Sequence, residues 1–160
     1  MIRFVVLNKE EKATWLPQLF DLFYENMQEI VPGGRSYEQE KQQWLAEVSP
    51  ALKKEPRQVI LCFTDKKLAG FVQYYTNKNL LMIEEIQIRK GYQCTTLFYG
   101  LCKSLAIRLP SEIESIEAYA EKRNTHSQEL MQKLGMVQIE EDGPFVHLRG
   151  SAEKIHRYFK

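Results

Sequence analysis

The chain has 160 residues, enough for one compact domain with a real core, and its apolar (44%) and charged (27%) fractions are those of an ordinary globular protein. A net charge of +1 offers no electrostatic basis for nucleic acid or an anionic membrane as partner, so neither is expected. Three cysteines without CxxC or Cys/His ligand spacing read as reduced thiols, which sets aside a disulfide framework and a metal site, and no apolar run approaches the ~20 residues that cross a bilayer.

The first element is a short β-branched strand at residues 2–7. The segment before residue 13 lacks the apolar stretch of a signal peptide, so a cytoplasmic protein is expected. Over residues 11–30, Leu16, Leu19, Phe20, Phe23, Met27 and Ile30 recur at helical spacing, until Pro32-Gly33-Gly34 breaks the chain. Ser36, with Gln39 three positions on, predicts the capped start of a second helix that buries Trp44, Leu45 and Val48 and finishes near Pro50. The period then changes. Residues 58–63, 68–75 and 80–88 read as three strands joined by polar turns, and are therefore antiparallel neighbours.

A helix over residues 95–108, a strand at 113–120 and a helix at 124–134 follow, the last ended by Gly135 as its C′ residue. Residues 137–141 and 144–148 form a closing hairpin around Asp142-Gly143, and Ser151 caps a short terminal helix. No repeat, low-complexity segment or linker stands out, so residues 1–160 are read as one domain. Hairpins followed by a strand–helix–strand crossover imply an α/β (α+β) fold: a mixed, mostly antiparallel sheet of about seven strands with helices on both faces.

Two segments carry a family likeness. Ile88-Arg89-Lys90-Gly91-Tyr92 runs without a gap into Gln93-Cys94-Thr95-Thr96-Leu97-Phe98, a strand passing into a helix N-terminus. Asn124, Leu130 and Gly135 then hold three of the fixed positions of an Asn-x-x-Ala-x-x-Leu-Tyr-x-x-x-Gly-Phe pattern, with Leu134 before the glycine. With the order of elements, these resemble the GCN5-related N-acetyltransferase (GNAT) family, over nearly the whole chain. The resemblance implies acetyl-CoA as cosubstrate, an acyl-CoA N-acyltransferase-like fold, and transfer of acetyl to a primary amine of a small molecule or peptide.

It also implies roles for residues. The main chain of Gln93, Cys94, Thr95, Thr96, Leu97 and Phe98 would face the pyrophosphate, where helix N–H groups and the macrodipole favour an anion. Thr96 and Phe98 stand where the family has small residues. The strand around Ile86 and Ile88 would pair with the pantetheine arm, and Asn124 is carried over as a cofactor-side residue. Met131 replaces the tyrosine that often serves as general acid.

An alkyl ammonium with a pKa near ~10.4 needs a base at neutral pH. Glu84 and Glu85 lie on the strand where family members place one. Period-2 alternation puts Glu84 on the face of Ile86 and Ile88 and Glu85 opposite, which makes a partly desolvated Glu84 the favoured base and Glu85 the alternative. Tyr119 is a further catalytic candidate lining the cleft. The departures at Thr96, Phe98 and Met131 motivate the rival expectation of a non-catalytic domain of this fold that binds an acyl-CoA or a protein partner. Ile155, Tyr158 and Phe159 are expected to pack on their own sheet or on a second subunit in a homodimer.

Overall fold

The structure is a computed structural model and describes residues 1–54, 56–92 and 95–159. In chain order its elements are β1 (Ile2–Val6), α1 (Lys9–Met27), α2 (Tyr37–Lys53), β2 (Gln58–Thr64), β3 (Lys67–Asn77), β4 (Leu80–Ile88), α3 (Thr95–Ala106), β5 (Ser115–Glu121), α4 (Thr125–Lys133), β6 (Met136–Asp142), β7 (Phe145–Ser151) and α5 (Glu153–Phe159). The strands form one seven-stranded sheet in the order β1-β2-β3-β4-β5-β7-β6. Every neighbouring pair is antiparallel except β4 and β5, which run parallel because the α3 crossover joins them.

Local chemistry explains most boundaries. Asn8 and Glu11 form a reciprocal capping box at α1, and Ser36 and Gln39 do the same at α2. The β2–β3 turn holds Asp65 and Lys66 at positive φ, the geometry whose twist suits a two-residue hairpin loop. Gly135 (φ 95°) ends α4 and Gly143 (φ 57°) turns the last hairpin. Helix α1 ends three residues before the expected limit, since the amides of Ile30 and Val31 both fold back onto the Met27 carbonyl. Pro50 lies inside α2, which continues to Lys53. Strand β7 extends to Ser151, whose hydroxyl accepts from the Glu153 amide at the start of α5.

Helices α1 and α2 cover one face of the sheet, burying Leu16, Leu19 and Leu22 against Val59, Leu61 and Phe71. On the other face α3, α4 and α5 bury Leu101, Met131 and Ile155 against Ile60, Val72, Ile83 and Leu148. The terminal helix therefore packs on its own sheet through Ile155. At Gly150 a Cβ would stand 2.2 Å from the Gly135 carbonyl oxygen and 2.9 Å from the Met136 Cα. These are main-chain atoms at the first rung of the β6–β7 ladder and have nowhere to go. Gly150→Ala is expected to cost about 3 kcal/mol, read as a lower urea midpoint at unchanged slope.

The feature that shapes the site is a bulge. Gln73 pairs with Glu85 but Tyr74 pairs with Ile83, so Glu84 is an extra residue in β4. The alternation resets across it: Leu81, Ile83, Ile86 and Ile88 all belong to the α3 side of the core. Glu84 and Glu85 consequently both project to the α1/α2 side. The expectation that Glu84 shares the face of Ile86 and Ile88 is thereby corrected.

Candidate active site

Strands β4 and β5 pair only from Leu80↔Ser115 to Ile83↔Ala118. Beyond the bulge they part, and two cavities open beside the gap. The smaller, of about 130 Å³, is bounded by Ile86, Gln87 and Ile88 of β4, Asn124, Ser127 and Leu130 of α4, and the end of α1. The larger, of about 490 Å³, lies between Glu84 and Glu85, Tyr119 of β5, and the aromatic inner faces of α1 and α2. Asn124 and Ser127 line both, so the cavities meet at the start of α4.

The two glutamates have different surroundings. Glu84 accepts from Arg57 Nε at 3.2 Å and from Arg57 Nη2 at 3.3 Å, and Gln73 Nε2 donates to it at 3.2 Å. The Arg57 guanidinium also lies 4.4 Å over the Tyr75 ring, which holds it in place. Glu84 is therefore already paired with a cation. Glu85 has no cationic partner among the described residues. Burial pushes its carboxyl up to about 7, a rise that the Gln87 hydrogen bond opposes and the adjacent Glu84 charge adds to. Gln87 Nε2 donates to Glu85 Oε1 at 2.7 Å, and Asn26 Nδ2 of α1 donates to Gln87 Oε1 at 2.9 Å. This chain of amides fixes the carboxylate orientation from the helix side.

Tyr119 stands on the same side of the sheet, its ring stacked on His147 at 4.3 Å and 9°. His147 has Nδ1 3.0 Å from Glu140 Oε1, and Nε2 3.2 Å from Glu117 Oε1 without hydrogen-bond alignment. Loss of hydration, with the nearby charges of Glu140, Asp142 and Glu117, holds the Tyr119 hydroxyl above the usual phenol range, so it stays protonated.

Asn124 spends its side-chain oxygen on the Ser127 amide at 3.1 Å, as the N-cap of α4, and keeps its Nδ2 3.7 Å from Met27 Sδ. Ile86 and Ile88 point their side chains into the core, so only their main chain borders the gap. At α3, Leu97 and Phe98 are core residues, whereas Thr96 is exposed. The Leu97 and Phe98 side chains are thus turned into the core. Gln93 and Cys94 lie outside the described residues, and Thr95 is the first residue of α3. Met131, at the family's tyrosine position, is buried in the core.

No protein-family model and no curated protein matches the sequence. Solved structures do. The PaiA N-acetyltransferase from Thermoplasma acidophilum, in complex with coenzyme A, aligns with a TM-score of 0.71 at 17% identity over 94% of this chain and 99% of that one. A GNAT-family acetyltransferase from Staphylococcus aureus aligns at 0.68 and 11% identity over 95% and 99%. The fold is that of the GCN5-related N-acetyltransferases. Another GNAT neighbour is the spermidine N-acetyltransferase from Vibrio cholerae, in complex with CoA and spermine (0.61, 12%, 96% and 97%). At these identities the likeness is one of GNAT backbone, and each side-chain role rests on the geometry above.

Sequence reasoning missed Arg57, Gln73, Gln87 and Asn26, the groups that set the two glutamates apart. Gln87 alone left a signal, as a lone amide between Ile86 and Ile88 in an apolar strand.

Proposed function

We propose that this chain is an acetyl-CoA-dependent N-acetyltransferase acting on a primary amine. The observation that carries the reading is the parting of β4 from β5 beside two joined cavities, with a desolvated Glu85, lacking a cationic partner among the described residues, on the wall of the larger one. The residues present fit acetyl-CoA. Among the described residues β4 pairs with β5 from Leu80 to Ile83, so its edge at Ile86 suits the amides of a pantetheine arm, and the α3 N-terminus offers main-chain donors to a pyrophosphate. Acetyl-CoA, when bound, supplies an activated acyl group.

The acceptor enters the larger cavity from the α1/α2 side as its ammonium form. Glu85 takes one proton, and the freed nitrogen forms its bond to the acetyl carbon as the carbon–sulfur bond breaks. The nitrogen's second proton balances the charge of the departing thiolate. A thiol with a pKa near ~8.5 leaves tolerably without a dedicated acid, so buried Met131 does not forbid the reaction. Tyr119, protonated, is a proton donor on the wall of the larger cavity.

Thermal melting with and without acetyl-CoA tests the reading. At a hundred times its Kd the ligand adds about 2.7 kcal/mol, a rise of roughly 5–10 °C for a chain of this size. Thiol release with an amine panel must follow. No shift at millimolar acetyl-CoA would sink the proposal, and a shift without turnover would favour a non-catalytic acyl-CoA-binding domain, in keeping with the departures at Thr96, Phe98 and Met131.

A further inference from the structure

The larger cavity has an unbalanced wall. Five glutamates line it (Glu40, Glu47, Glu84, Glu85 and Glu121) and, among the described residues, no lysine, arginine or histidine does. Arg57 neutralises Glu84, and Arg123 lies 3.0 Å from Glu121. Glu40, Glu47 and Glu85 have no ion pair among the described residues. Glu85 is assigned above to the reacting nitrogen, which leaves a second negative centre on α2 without an occupant.

That centre has a defined build. Glu40 and Glu47 are seven residues apart, two turns of one helix face and about 10 Å along it, with Gln43 and Trp44 between them on the same cavity wall. Gln43 Nε2 donates to Glu47 Oε1 at 3.1 Å, a neutral contact that orients the carboxylate without cancelling its charge. Trp44 is backed by Phe23, stacked at 6.1 Å, and by Phe20 at 5.5 Å, so an aromatic surface lies between the two carboxylates. Carboxylates beside a packed aromatic wall suit an alkylammonium: the charge meets Glu40, Glu47 and the ring, and the methylenes cover the apolar floor. An anionic or neutral polar acceptor would face uncompensated repulsion or desolvation there.

We propose that the acceptor is a linear amine with at least two cationic nitrogens, one reacting at Glu85 and the other held at Glu40, Glu47 and Trp44. This rests on the acetyl-transfer reading, and the experiment separates the two. In the full chain with saturating acetyl-CoA, kcat/KM is measured for butylamine, 1,4-diaminobutane and a linear triamine. Triamine binding without acetyl-CoA is measured by calorimetry.

The diamine and triamine are expected to exceed butylamine by at least about tenfold, and the margin should shrink as salt is raised. In the double variant Glu40→Gln, Glu47→Gln, the ratio of diamine to monoamine should fall toward one, mostly through KM. Equal kcat/KM for monoamine and diamine in the unaltered chain, or an unchanged ratio in the double variant, overturns the proposal. Triamine binding that weakens in the double variant, with no turnover of any amine, would uphold the cation cleft and overturn acetyl transfer. Turnover of all amines without preference would do the reverse.

Discussion

Replacing Glu85 by glutamine is expected to lower kcat/KM at neutral pH by ~10²-fold or more, the usual worth of a general base. The pH profile gives the sharper readout. Burial and the Glu84 charge raise the Glu85 carboxyl to about 7, so it takes up a proton over the range in which alkyl amines are still ammonium. With the amine entering charged, kcat/KM should climb as pH passes about 7, level off, and decline only near the amine's own pKa. Glu85→Gln should erase the limb near 7 and leave a rise that follows the amine's own deprotonation toward its pKa. A limb that survives the substitution would remove Glu85 as the base.

The same group predicts a stability effect of opposite sign. A carboxyl raised in the fold from 4.5 to about 7 favours folding relative to its ionised form below pH 4.5. That advantage is lost as pH rises through 7, so the chain should become less stable between those values, by at most about 3 kcal/mol. The glutamine variant carries no such term. It should melt above the unaltered chain at pH 8 and close to it at pH 4.5. Slower and more stable together would mark a strained functional site; slower and less stable would mean that Glu85 serves packing.

Much of this was readable in the chain, and the reasons are local. Strand β4 has its expected ends, the Ser36–Gln39 box forms, and Gly135 takes the positive φ of a C′ residue, because each depends on residues only a few positions apart. The face of Glu84 was not readable. Whether β4 bulges is decided by its pairing with Gln73 and Tyr74 on β3, and a strict period of two has no room for an extra residue. For the same reason the pairing of Glu84 with Arg57, 27 residues away, had no sequence signal, so the two glutamates looked alike. Phe98 shows the converse error. It stands where the family has a small residue, yet helical periodicity turns its ring into the core.

Arg57 therefore tunes the site without entering it. Arg57→Met keeps an apolar side chain and removes the guanidinium that lies over Tyr75 and donates twice to Glu84. Two adjacent carboxyls on one face of a bulge then share a partly desolvated space with no counter-charge, and their protons come off in two coupled steps. The first ionisation relieves the pair and the second is opposed, so the limb of kcat/KM that depends on a free base should move up by about one pH unit. At pH 7 that is a loss of about tenfold, largely recovered near pH 9, whereas Glu85→Gln recovers only in step with the free-base fraction of the amine, toward its pKa near ~10.4. Stability should fall by about 1–3 kcal/mol, the cost of leaving a half-buried charged acceptor without its donor. A parallel drop at every pH would show that Arg57 matters only as structure. A shifted limb with its plateau preserved would show that the Arg57–Glu84 ion pair beside the base sets the pH at which Glu85 works.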